Sequence, residues 1–234
     1  MFYKLVDRNL ILLLLLSILL VGCKLPQTFN PLTASRLRSV ELEHLGNTAL
    51  ERGDNQAAEK HLSDALRLNR RDVELRCSYA ESLWQQGKQN EAIAQLQYAQ
   101  KHGGQNSVTL NISLAEKLLV LDDIDGAYNH ADEAVRLAPQ DARGWALRGK
   151  ATLTQVQKQL NTRSNTSPKN ELANSEYQNQ QHSNPITNNI REQITQSRND
   201  YYRAISIEPQ NRNILADLAK VQLLAGQPEH SLVT

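Results

Sequence analysis

Two glutamates, Glu81 and Glu116, stand 35 positions apart in the chain. Paired carboxylates can divide acid and base work between them only if their surroundings split their proton affinities. Asp122, Asp123 and Asp125 crowd the segment Leu121–Gly126, which looks superficially like a calcium loop. Leu121, however, occupies the place of the first carboxylate, and Asp132 stands where a bidentate glutamate is required. A turn that starts a helix is the better reading. The histidines, at 44, 61, 102, 130, 182 and 230, lack the paired spacing of metal ligands, so no metal is expected. Cys77 reads as a small packing residue. The chain contains no Gly-x-Ser-x-Gly, phosphate loop or dinucleotide fingerprint, and no cofactor is expected.

The elements that must carry these residues are helical. Ala, Leu, Gln, Glu and Arg together make up nearly half of the 234 residues, and aromatic residues make up only 5%. Lys and Arg total 26 against 25 Asp and Glu, a balance that lacks the basic excess of a nucleic-acid binder.

The N-terminus differs from the rest. Lys4 and Arg8 precede an apolar run, Leu10–Leu16, resumed at Ile18–Val21 and ending in Leu20-Val21-Gly22-Cys23. A charged leader and an apolar core of that length are the pattern of a secretory signal. The ending resembles the bacterial lipobox. That resemblance implies a leader over 1–22 and lipidation of Cys23 through its sulfur, so that acyl chains supply the membrane anchor. It also implies a location in the bacterial envelope, facing the periplasm, with Lys24 favouring the outer membrane. Residues 23–38, with Pro26 and Pro31, read as a flexible tether.

The body repeats itself. Aligned at a period of about 34, Gly46, Ala80, Ala115 and Gly149 share one position. Ala58, Ala92 and Ala127 share a second, and Ala65, Ala99, Ala134 and Ala204 share a third. Gly53, Gly87 and Asp122 fall between the helices of a unit, and Pro139 and Pro209 follow its second helix. Small residues at such positions let two helices approach within the usual 8–10 Å. This pattern is similar to the tetratricopeptide repeat. The resemblance implies an all-α, right-handed α-solenoid of helix-turn-helix units over 39–230. Its units fall near 39–72, 73–107, 108–141 and 142–211, the last followed by a capping helix at 212–225. The stretch 158–188, rich in Asn, Gln, Ser and Thr, interrupts the fourth unit and reads as a disordered insertion.

In this family the first helix of each unit lines a concave groove. Carried onto this chain, the resemblance places Glu43, Asn47 and Glu51 there from the first unit. Glu81 and Trp84 come from the second, Ile112, Glu116 and Leu119 from the third, and Lys150 from the fourth. Trp84 is the expected anchor. Members that clamp a carboxylate need a lysine where Glu43 stands, so that speciality is not expected. The resulting expectation is a non-catalytic scaffold, anchored by lipid, that binds a protein or peptide. Alternatives are an assembly factor for a pilus, secretin or outer-membrane complex, and an envelope enzyme accessory using Glu81 and Glu116. A further alternative is an architectural protein that self-associates through its C-terminal end.

Overall fold

The computed structural model describes residues 31–166 and 185–226. The expected leader, Cys23, and most of the polar insertion lie outside the described residues. Nine α-helices and one short 3-10 turn are found among the described residues. They are α1 (Pro31–Glu51), α2 (Asn55–Leu68), α3 (Val73–Gln85), α4 (Gln89–Lys101), α5 (Val108–Val120), α6 (Ile124–Leu137), α7 (Ala142–Thr166), α8 (Pro185–Ile207) and α9 (Arg212–Gly226).

Helix starts are fixed by side chains that accept from otherwise unpaired amides. Asp54, Asp72, Ser107 and Asp123 accept from the N–H of Ala57, Leu75, Leu110 and Gly126, at 3.0, 3.1, 3.1 and 3.0 Å. The acidic stretch at 122–125 is thus a helix-initiating turn. Gly53, Gly87 and Asp122, each just before its unit's second helix, all take left-handed backbone, with φ of 76°, 78° and 66°. Asp122 alone among them carries a Cβ into that region, where aspartate is one of the better-tolerated residues.

The small residues sit at the closest crossings. Ala58, Ala92 and Ala127 are completely buried. A Cβ on Gly46 would lie 2.5 Å from Leu62 Cγ, and one on Gly149 would lie 3.1 Å from the Tyr201 ring and 3.2 Å from the Ser197 carbonyl oxygen. Each hairpin therefore nests through a residue with little or no side chain, and the cores between units are leucine and alanine. Successive first helices, α1 with α3, α3 with α5 and α5 with α7, touch more extensively than the second helices do. The stack curves toward the first-helix face.

Two stretches differ from expectation. Residues 31–38, read as tether, are helical; Pro31 stands at the first position of α1, where a missing N–H costs nothing. Residues 158–166, read as insertion, continue α7, and α8 begins at Pro185. Leu160 packs into the core that Val156, Ile190 and Ile194 form between these two helices, and this contact holds a polar sequence helical.

Candidate functional site

All nine residues expected in the groove lie on α1, α3, α5 and α7, and the structure gathers the central ones around a lysine the sequence reading did not single out. Lys117, on α5, has a side chain only 9% exposed, and its ammonium donates to Glu81 on α3 at 2.5 Å. The same ammonium is 3.8 Å from the Glu116 carboxylate and 5.3 Å from the centre of the Trp84 ring. Gln85 also donates to Glu81, at 3.0 Å. The expected carboxylate pair is thus spanned by a cation. Burial lifts the Glu116 carboxyl above the ordinary range; Lys117 opposes this, Glu81 adds to it, and Arg143 and Lys150 oppose it.

At the α1 end the field is acidic. Burial lifts Glu43, and the nearby carboxylates of Asp72 and Glu74 lift it further. Glu74 accepts from Ser107 at 3.0 Å. Asn47 is half-buried and Glu51 exposed beyond it. At the α7 end Lys150 is exposed, and Arg143 is held by Asp141 at 2.7 Å. Leu119 is half-buried between these ends, with Val120 66% exposed beside it. Ile112 is different: at 3% exposure it belongs to the packing and offers nothing to a ligand on that face. Cys77 is buried, and burial pushes its thiol up to about 12, which removes it as a nucleophile at neutral pH. Among the described residues no group of three or more His, Cys, Asp and Glu could hold a metal.

A second concavity, of about 800 Å³, opens between α7 and α8, with Trp145, Arg148, Arg191, Glu192, Asp200 and Arg203 in its walls. Its floor is an ion-pair network. Arg148 donates two hydrogen bonds to Asp200, at 2.6 and 3.0 Å, and one to Asp132 at 2.6 Å. The Arg148 guanidinium also lies 4.7 Å from the Trp145 ring centre. Periodicity gives no sign of this network, because Arg148 and Asp200 are 52 positions apart across the insertion.

The family model of the tetratricopeptide repeat matches residues 44–107. Among solved structures, PilF of Pseudomonas aeruginosa matches with a TM-score of 0.62 at 13% identity, covering 84% of this chain and 72% of that one. MamA of Desulfovibrio magneticus matches at 0.55 and 15%, covering 83% and 89%. The fold is a tetratricopeptide-repeat solenoid. Human IFIT1, solved with m7Gppp-AAAA, matches at 0.58 and 14%; the match covers 87% of this chain but only 41% of that one. At these identities the likeness carries the tetratricopeptide-repeat architecture and no more. No curated protein matches the chain by sequence. In this architecture successive helices present one long curved surface.

Proposed function

We propose that this chain is a lipid-anchored, non-catalytic scaffold of the bacterial envelope that binds an extended or helical protein segment along its concave face. The observation that carries the reading is the strip running from Glu43 through Trp84 and Leu119 to Lys150. It is acidic at one end, apolar and aromatic in the middle and basic at the other. Such a strip suits a segment with a basic end and an apolar centre. Lys117 supports this use, because its ammonium fixes Glu81 and sits by the Trp84 ring, so these groups are positioned before any ligand arrives.

The test is capture from envelope extract by the full chain in detergent. Wild type is expected to retain specific proteins, and the Trp84→Ala/Leu119→Ala variant to lose them. Retention of the same proteins by both would remove the groove from the account. Anchoring is tested separately. Cells fed labelled palmitate are expected to label the wild-type chain and not a Cys23→Ser variant, whereas equal labelling of both would rule out Cys23 as the acceptor. A narrower reading, an assembly factor for a pilus or secretin, is favoured only by the fold likeness to PilF.

A further inference from the structure

The last helix leaves one face uncovered. In the four units before it, the first helix is packed by a second: α1 by α2, α3 by α4, α5 by α6 and α7 by α8. Helix α9 buries Ile214, Leu218 and Val221 in the core it shares with α7 and α8, and no further helix among the described residues packs on its other side. There Leu215 is 42% and Leu223 70% exposed, with Ala216 and Ala219 exposed among them. Tyr202 of α8, 49% exposed, is joined to α9 by a 3.1 Å hydrogen bond from Gln222 to its hydroxyl.

The two exposed leucines are placed symmetrically about Ala219, with Ala216 three residues before it and Gln222 three after. Leu215 precedes it by four residues and Leu223 follows it by four; Arg212 precedes it by seven and Gly226 follows it by seven. A stripe with that symmetry is complementary to its own copy turned end for end, which is the requirement of an isologous two-fold contact. We propose that α9 pairs antiparallel with α9 of a second copy, with Ala219 at the two-fold axis. Leu215 of each chain then meets Leu223 of the other, Ala216 lies against Gln222, and Ala219 at the axis admits a close crossing.

The charges agree with this arrangement. Arg212 lies in the first turn of its own helix, where a cation opposes the positive end of the helix dipole. The last turn of α9 carries no basic residue to offset its negative end. Antiparallel pairing sets each Arg212 over the other chain's final turn, so both mismatches are relieved by one contact. Asp217 and Lys220, which pair with each other at 2.7 Å, lie off the strip, so no carboxylate interrupts it. This inference does not depend on the concave groove.

Sedimentation equilibrium of the full chain in density-matched detergent tests it. Wild type should behave as a reversible monomer–dimer. Ala219→Glu, which places two carboxylates together at the axis, should weaken the dimer on the order of a hundredfold or more, with helix content by circular dichroism unchanged because Ala219 is exposed. In a Cys23→Ser background, Leu215→Cys chains should form a disulfide with Leu223→Cys chains in a mixture, and neither should do so alone. A monomer at every concentration overturns the proposal, whether residues 227–234 or another protein then covers the strip. So does a dimer indifferent to Ala219→Glu, an open-ended series of larger species, or self-crosslinking of Leu215→Cys.

Discussion

Replacing Arg148 with methionine is expected to destabilise the protein by about 3–5 kcal/mol at neutral pH, read by chemical denaturation. The size follows from what would be left behind. Asp200 is a carboxylate with 4% side-chain exposure that accepts two of the three hydrogen bonds Arg148 makes to acids. Burial already lifts its proton affinity above the ordinary aspartate range, with Arg148 opposing the rise and Asp132 adding to it. Without the guanidinium the rise is larger. A group whose folded proton affinity is raised contributes stability below its unfolded pKa and loses it as pH climbs through the folded value. The variant should therefore come nearest to wild type in acid, below the ordinary aspartate value of about 4, and fall further behind as pH rises toward neutrality. A deficit that shrinks with rising pH would mean that Asp200 is not the group left uncompensated. The double variant Arg148→Met/Asp200→Leu should recover much of the loss, since a buried ion pair replaced by apolar packing is often close to neutral.

The second large effect is expected at Tyr201. Its ring is fully buried, it fills the space left open by Gly149, and its hydroxyl has no hydrogen-bond partner among the described residues. Burial pushes that hydroxyl's proton affinity well up. Tyr201→Ala should cost about 3–5 kcal/mol through lost burial and the cavity left behind. Tyr201→Phe should cost little, because no hydrogen bond among the described residues is removed. Where the damage falls is as informative as its size. In a stack each unit contacts mainly its neighbours, so amide exchange should accelerate in α7, α8 and α9 while α1 to α4 keep their protection. Uniform loss along the whole chain would show that the units unfold as one.

Both predictions rest on contacts that the sequence conceals to different degrees. The hairpin register was readable because close crossings admit only glycine or alanine. Ala58, Ala92 and Ala127 recur 34 and then 35 positions apart and are all completely buried, and a stereochemical demand repeated in every unit leaves a periodic trace. Gly149 could be read as a close-approach site in the same way, although its partner Tyr201 lies beyond the insertion. The ion pairs leave no trace. Lys117 reaches Glu81 across 36 positions and Arg148 reaches Asp200 across 52, and neither separation matches the 34-residue repeat. Ile112 was misjudged for a related reason. Position in the unit places it on the first-helix face, but it lies in the packed layer rather than at the surface. The start of α1 was missed because Pro26 and Pro31 were read as tether composition, whereas a proline at the first turn is compatible with a helix. The extension of α7 was missed because its helicity comes from α8, not from its own polar sequence.

Helix α7 has 25 residues where α5 has 13, an excess of roughly 18 Å at 1.5 Å per residue. Together with α8 it makes the fourth unit longer than the second and third, whose helices have 13 or 14 residues. Its root is bolted by Leu153, Val156 and Ile194, so a load applied at the tip works through a lever. The terminal unit holds the root of that lever, and the acidic end of the groove, on α1, lies three units away.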